Sequence, residues 1–552
     1  MASTFNGLEV AKRALHTQQS ALYTTGHNIS NANTEGYTRQ RVNMTQTGPY
    51  PPASRNRPEI PGQVGSGVEA GSIQRVRDSF IDKQYREENT KVGYYETKAD
   101  MMTKLEAILN EPTEEGLSQS FDLFWQSLHD LSTNPEDSGA RAVVKERANA
   151  VVDSLQYVHS SLEKVRANQK DEIGVNNSKI NSLIDQINQV NEQISKIEPH
   201  GYVPNDLYDE RDRLIDQLST YADIKVDYRA SSGQPSAIAQ GIATITLAVD
   251  NSDVEQEGND PVVLVDGGAD VELGSSDAVN HLFTDFDNDN NLKAIFFANP
   301  TEGTTAESLA DDYENQQFIY SDNFNVQGKL QALIDGAGYL TDFQYGGADD
   351  ADYTSAGEIN KIVTNIDTMV SQFITEFNAV HQDGYALKTD ENGNPLQGEA
   401  FFTGTTADTI AVSDAILNDV DLIAASTTGA TGDGENAIEL ANVYTKRVEE
   451  YLSYEEGDPA QLDDKATIKS YFESIIGEMG VVAEEANTML NNSQILRQQV
   501  SESKQAISSV SLDEEMTNLI QFQHAYNAAA RSMTVVDEML DRIINSMGLV
   551  GR

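Results

Sequence analysis

SLDEEMTNLIQFQHAYNAAARSMTVVDEMLDRIINSM, residues 511–547, lies at the end of the chain and decides how the rest is read. Leu512, Met516, Leu519, Phe522, Tyr526, Ala529, Met533, Val536, Leu540, Ile543 and Met547 recur in alternating steps of four and three. That is a heptad seam, the pattern of a helix that packs along another helix. Ser511, followed by Asp513, Glu514 and Glu515, suits a helix N-terminus, where a side-chain cap and negative charge meet unpaired N–H groups.

A fainter seam opens the chain: Met1, Phe5, Leu8, Ala11, Leu15, Leu22 and Ile29, interrupted by Gln18 and Thr25. It predicts a helix over about residues 3–30, ending in the Asn-rich SNANTEG, with Gly36 as a positive-φ turn residue. Two seams at opposite chain ends can pair as a parallel or an antiparallel coiled coil. Alternatively, each packs separately on the body of the protein.

Between the ends, Pro and Gly set the boundaries. Residues 42–75 hold Pro49, Pro51, Pro52, Pro58, Pro61 and four or more glycines, which predicts extended chain. Helix is expected from Arg75 to about Leu109, and Asn134-Pro135 breaks it before a restart near Ser138. A long seam then runs from Leu155 through Ile173, Ile180 and Ile187 to Ile197, stopped by Pro199, His200 and Gly201. Pro204, Asn205 and Asp206 open a shorter helix with acids in its first turn. From about residue 225 the short runs ITLAV, PVVLV, AIFFA and QFIY, separated by Gly, Asn, Asp and Ser, predict strands. Helix is expected again over residues 359–378, 435–452 and 466–505, around a short β-like piece at about 384–432. The fold class expected is therefore α+β and multidomain, with paired terminal helices, a long-helix bundle and an inserted β-rich unit. The division reads as 1–60 with 505–552, 61–225 with 356–504, and 226–355.

Composition bounds the function. The chain has 552 residues, 88 acids against 38 bases, a net charge of −50 and no cysteine. Such a charge argues against nucleic acid and anionic lipid as partners. The absence of cysteine removes disulfides, thiol catalysis and thiolate metal sites. No apolar run reaches the length of a membrane span, and the N-terminus has no secretory h-region. None of the eight histidines has a zinc spacing, and no phosphate-binding glycine loop or nucleophile elbow occurs. Asp285, Asp287 and Asp289 in TDFDNDNN match the first ligand positions of an EF-hand. Asn290 and Phe296 stand where Gly and the bidentate Glu belong, so an acidic solvated loop is expected. No catalytic residue, cofactor or metal is expected.

Three stretches resemble the bacterial flagellar axial family of rod, hook and hook-associated proteins. NISNANTEGYTRQ (28–40) is similar to that family's Asn-rich motif with Thr-x-Gly-Tyr/Phe, and residues 511–547 resemble its C-terminal signature. NEQISKIEPHGYVPNDLYDERDRLIDQLSTYADIKV (191–226), with GYTRQRV (36–42), looks like the hook-associated members. FITEFNAVHQDGYAL (373–387) and the FFTG, DLIAAS and GDGENAIELA pieces beyond it do so too. The likeness fades over about 227–355.

The resemblance implies a structural, non-enzymatic protein that joins hook to filament as a homo-oligomeric ring. Its implied partners are the hook protein, a second hook-associated protein on the filament side and an export chaperone at the C-terminal helix. It implies an extracellular place in the flagellum, reached by type III export without a cleaved signal. The subunit contacts are expected at Leu8, Leu15, Leu22, Ile29, Leu519, Phe522, Tyr526, Met533, Val536, Leu540 and Ile543. Asn28, Asn31, Asn33, Gly36 and Tyr37 are expected to shape the turn after the first helix. The competing readings are a hook-type axial protein and a secreted adhesion module that uses its acidic β unit. The ends lie apart from the charge: residues 1–105 and 501–552 sum to zero, while 231–360 hold 24 acids and two bases.

Overall fold

The structure, a computed structural model, describes residues 5–51, 55, 62–109, 116–249, 254–255, 261–301, 303–346, 353–391, 393–445 and 467–546. Met1, Met547 and residues 446–452, expected in helices, lie outside them. The chain opens with α1 (Asn6–Ser30), then the antiparallel pair β1 (Gln40–Gln46) and β2 (Val68–Arg75). Helices α2 (Ser79–Leu109), α3 (Leu117–Thr133), α4 (Ser138–Ile197) and α5 (Asn205–Leu218) follow. The inserted part holds β3 (Ile224–Arg229), β4 (Ile242–Leu247), β5 (Val263–Val265), β6 (His281–Phe286) and β7 (Leu292–Ala298). It continues with α6 (Ala306–Asp311), β8 (Gln317–Tyr320), α7 (Gly328–Ala337), β9 (Tyr339–Thr341) and β10 (Thr354–Ala356). The return path is α8 (Glu358–Asp383), β11 (Tyr385–Thr389), β12 (Pro395–Gln397), β13 (Phe402–Thr403), β14 (Ala411–Val412), α9 (Asp414–Asn418) and α10 (Glu435–Asn442). It closes with α11 (Ile468–Ser508) and α12 (Leu512–Ser546).

Helix α4 is the spine. Its 60 residues span about 90 Å at 1.5 Å per residue. Asp137 caps its start by accepting from the Gly139 N–H. Its first half packs Val144, Val151, Leu155 and Leu162 into one core with α3, α8, α10 and the start of α11. Phe121, Phe124, Phe373, Phe377, Phe401 and Phe402 fill the middle of that core, with ring centroids 4.8–6.3 Å apart in the pairs that touch. The second half presents Ile173, Ile180, Ile184, Ile187 and Ile194 to a separate core with α5, α7 and the inserted strands. The change of partner falls between Leu162 and Ile173.

The inserted strands form two sheets, β3-β4-β5 and β10-β9-β7-β6 with β8 on β7. Most pairs are antiparallel; β7 and β9 run parallel. TDFDNDNN is the β6–β7 turn, with Asn290 at φ 66°. Asp285 pairs with Lys293 at 2.6 Å and accepts from the Tyr345 hydroxyl at 2.7 Å. Asp287 accepts from the N–H and side-chain amide of Asn291. Asp285 and Asp287 therefore serve a hairpin, and Asp289 takes part through its carbonyl, which accepts from Arg166. Among the described residues no group of three or more His, Cys, Asp or Glu is arranged to hold a metal ion.

His381 closes the first core. Its Nε2 accepts from the Ala424 N–H at 3.0 Å, which leaves Nδ1–H to donate to the Glu399 carbonyl at 2.6 Å. Burial pushes its pKa down to about 4, against the hydrogen bond to Glu399. The unfolded chain thus takes up this proton near pH 6.5 while the folded chain does not, so the folded state loses stability as pH falls from 6.5 toward 4. We expect a loss of about 3 kcal/mol over that window. Urea titrations of the native chain and of His381→Gln across it check this: the variant loses that part of the pH slope.

Candidate functional site: the terminal helices and their anchorage

The two chain ends meet. A Cβ on Gly7 of α1 would lie 3.3 Å from Val536 of α12, and the Asn28 amide donates to Glu515 at 3.1 Å. Helices α1 and α12 therefore run antiparallel, with the start of one beside the end of the other. Leu8, Leu15, Leu22 and Ile29 are half-buried on α1, and so are Leu519, Phe522, Tyr526, Met533 and Val536 on α12. Leu540 is buried, while Ile543 is 43% exposed. On the other side of α1, the β1–β2 pair is held by Thr17, whose hydroxyl donates to the Val68 carbonyl at 3.2 Å. An apolar surface remains open on α12, including Val535, Met539 and Ile544.

The N-terminal motif forms the base of this pair. Asn28 is 1% exposed and uses its whole amide. It donates to the Gln40 carbonyl at 2.8 Å and to Glu515, and accepts from the Gln40 N–H at 3.0 Å and the Tyr37 hydroxyl at 2.7 Å. The side chain thus ends α1, starts β1 and touches α12 at once. Burial raises the Tyr37 pKa, aided by Asp206, Asp209 and Glu515, so its hydroxyl stays a donor. Asn31 donates to the His27 carbonyl at 3.1 Å and accepts from Thr34 at 3.2 Å. Gly36 takes φ 80° with Arg213 3.4 Å from its would-be Cβ, a place only a glycine fills without strain. Asn33 is exposed at the loop tip.

Below the motif lies a buried ion network that the sequence reading missed. Asp209, Asp212 and Asp216 lie on one face of α5. Arg75 at the end of β2 bonds Asp209 at 2.6 Å and Asp212 at 2.9 Å. Arg77 reaches Asp212 at 3.0 Å and Asp82 at 2.5 Å. Arg86 reaches Asp216 at 2.7 Å and Asp212 at 3.5 Å, and Lys504 of α11 reaches Asp216 at 2.6 Å. Arg75, Arg77, Arg86 and Lys504 thus pair with Asp82, Asp209, Asp212 and Asp216 in a largely buried site, with Arg211 a fifth buried cation beside them. Burial opposes the charge on Asp212, yet Arg77, Arg75, Arg211 and Arg86 together hold its pKa below the usual carboxylate range. Burial wins at Asp209, whose pKa is raised despite Arg75.

The network fastens α1 and α12 to the body. Thr38 N–H donates to Asp209 at 3.0 Å, Arg39 N–H to the Ser508 carbonyl at 2.8 Å, and the Arg39 side chain to Glu514 at 2.6 Å. On α2, Asn89 donates to Asp216, Ser219 and Thr220 around the end of α5. Gly93 passes so close that a Cβ would lie 2.2 Å from the Thr220 carbonyl. The three stretches singled out in the sequence, 28–40, 191–226 and 511–547, therefore converge at one point. The spacing of the α5 acids by three and four, beside Arg75-x-Arg77, is the signal that could have found the network. It reads equally well as an acidic solvent-facing side of the helix.

The profile of the flagellar hook-associated protein FlgK helical domain matches residues 102–402. Those of the flagella basal body rod protein and of the basal body rod FlgEFG C-terminal region match 8–38 and 505–547. Flagellar hook-associated protein 1 of Bacillus subtilis (strain 168) is 38% identical over the whole of both chains. The chain belongs to the flagellar hook-associated protein 1 family. The Escherichia coli (strain K12) member is 24% identical over 99% of this chain and 100% of its own. The solved flagellar hook junction protein FlgK from Burkholderia pseudomallei shares the fold with a TM-score of 0.53 at 12% identity. The match covers 79% of this chain and 100% of that one.

Membership in the hook-associated protein 1 family makes this chain a structural, non-enzymatic flagellar component. No helix among the described residues is long and apolar enough to cross a membrane. Removing the central anion of the network is expected to cost most. Asp212→Asn leaves Arg75, Arg77 and Arg86 buried without their shared partner, a loss of about 3–5 kcal/mol. Asp209→Asn, at a position where burial already disfavours charge, is expected to cost much less. Chemical denaturation of the two variants at pH 7 checks the order. The Asp212 contribution, present above the ordinary carboxylate pKa, is lost as pH falls below it.

Proposed function

We propose that this chain forms the junction between hook and filament of the bacterial flagellum, assembling as a homo-oligomeric ring through α1 and α12. The observation that carries the reading is the open apolar side of α12. Ile544 is 69% exposed, and Val535, Met539 and Ile543 stand open beside it. A two-helix pair buries one stripe on each helix; a third surface is needed to cover the rest. Leu8, Leu15, Leu22, Ile29, Leu519, Phe522, Tyr526, Met533, Val536, Leu540 and Ile543 serve both the internal pair and the contact with neighbours. Asn28, Asn31, Asn33, Gly36 and Tyr37 set the angle at which the pair leaves the body.

The hook protein is the partner on one side and a second hook-associated protein on the filament side. Before export, the same open surface is an aggregation hazard, which gives a cytoplasmic chaperone a reason to hold α12. The protein leaves by the flagellar type III route without a cleaved signal and works outside the cell. The B. pseudomallei relative is a hook junction protein, which supports the placement. The chain divides into a terminal unit (1–60 with 505–552), a helical unit (61–225 with 356–504, including the β-like piece at about 384–432) and an acidic β-rich unit (226–355).

Deleting 1–40 and 505–552 together is expected to abolish binding to the ends of isolated hooks, scored by electron microscopy. Deleting 231–355 is expected to leave binding intact. Binding by the terminally deleted chain would refute the assembly role of α1 and α12, and loss of binding on removing the β unit would favour an adhesive or partner-binding role there.

A further inference from the structure

Two cavities, of about 600 Å³ and about 430 Å³, meet at Tyr94 of α2, Asp335 of α7 and Tyr339 of β9, which line both. They lie where the two cores adjoin. Helix α7 belongs to the second core through Leu330, Leu333 and Ile334, and α8 to the first through Ile359 and Ile362. The larger cavity extends to Ser355 on β10 and Lys361 on α8. The smaller extends to Tyr95 on α2 and to Asn325 and Gln327 in the loop between β8 and α7. Both sizes fall within the about 300–1,000 Å³ of small-ligand sites, which favour the boundaries between domains.

The lysines on these walls are already paired. Lys91 meets Glu88 at 2.8 Å, Lys98 meets Glu358 at 2.9 Å, and Lys361 meets Glu478. Asp335 accepts from the Tyr94 hydroxyl at 2.9 Å and from the Gln331 amide at 2.8 Å, and burial raises its pKa. What stays uncommitted is mostly neutral. Gln331 Oε1 is buried without a partner. The Tyr95 and Tyr339 hydroxyls and the Asn325 and Gln327 side-chain amides have no hydrogen-bond partner among the described residues. Gln327 also takes φ 54°, a left-handed backbone that favours glycine. Strain of this kind collects at ligand sites.

These groups select a class of ligand. An anion would need a free cation, and each lysine here has its carboxylate. A cation would enter beside three lysines. An added peptide strand would need apolar pockets for alternate side chains. A sugar ring needs something else: an aromatic surface for its C–H face, and amides and phenols for hydroxyls that both donate and accept. The rings of Tyr94 and Tyr95 lie 5.1 Å apart at 88° and give the site two aromatic walls. We propose that the double cavity binds a neutral oligosaccharide, with pyranose rings against Tyr95 and Tyr339 and sugar hydroxyls on Gln331, Asn325 and Gln327. None of the lining residues belongs to α1 or α12, so the inference stands apart from the assembly reading.

Calorimetric titration of the full-length chain at pH 7 with chitotetraose, cellotetraose, maltotetraose and mannotetraose tests this. At least one is expected to bind with a Kd below about 1 mM. Binding of none overturns the proposal, and so does tighter binding of tetragalacturonate than of every neutral probe, which would mark charge recognition. The double variant Asn325→Ala/Gln327→Gly changes two exposed positions, and glycine suits the backbone at 327. It should keep the native thermal transition and bind at least about tenfold more weakly, having lost two amides. Unchanged affinity overturns the proposal, as does equal weakening by Tyr157→Ala, a change at an exposed position on α4.

A protection experiment decides the place of binding even if the double variant is unstable. The chain has no cysteine, so full-length Asn325→Cys carries a single thiol, and so does the control Tyr157→Cys. A saturating amount of the bound tetrasaccharide is expected to slow maleimide labelling at 325 at least about threefold, because a covered thiol reacts slowly. Labelling at 157 should not change. Equal rates at 325 with and without the sugar, or equal slowing at both positions, overturn the proposal.

Discussion

Asp212 and the guanidinium groups around it are the constraint on which the arrangement depends. The site is largely buried, so each charge there carries a desolvation cost that only good geometry offsets. Arg75 and Arg77 come from the end of the β1–β2 pair, Arg86 from α2, and Lys504 from the end of α11. Asp212 and its neighbours come from α5. The Asp212 carboxylate thus joins α5 to the end of β2 and to α2, Asp216 adds α11 through Lys504, and the position of the terminal helices follows. Asn28 performs the neutral counterpart above it, joining α1, β1 and α12 through a single amide.

A rigid base of this kind suits a flagellar hook-associated protein 1. Its terminal helices leave much apolar surface open, and open surface gives no orientation by itself. Hydrophobic contact is non-directional, whereas a hydrogen-bonded charge network holds one geometry. The network therefore sets the direction of the helix pair, and the apolar surface supplies attraction. Helix α4 extends the same logic over the body, since one continuous helix serves two cores and keeps the inserted sheets in a fixed place relative to the phenylalanine cluster.

The helices were legible because their signals are local. The seam in 511–547, the stop at Pro199–Gly201 and the break at Asn134-Pro135 each lie within a short window and correspond to α12, the end of α4 and the α3–α4 junction. The β-rich insert was legible as a class, but its pairing was not: β7 is flanked by strands far apart in sequence, one of them parallel. The acids Asp209, Asp212 and Asp216 of α5 gave no local sign of a network because their partners lie more than a hundred residues away. TDFDNDNN resembled part of a cation loop until Lys293, Tyr345 and Asn291 supplied its actual partners.

The amino-acid sequence by itself determined where helices form, where they stop, which side of each is apolar, and that the acid excess lies away from the chain ends. These depend on neighbours within a few residues. Tertiary structure alone decided that α1 and α12 run antiparallel and that the three marked stretches meet at Asn28 and Asp212. A heptad pattern is the same for either direction of pairing and for any partner. Direction was set by buried polar groups, since an amide or carboxylate in a closed site must find particular partners, and only the folded chain brings those within 3 Å.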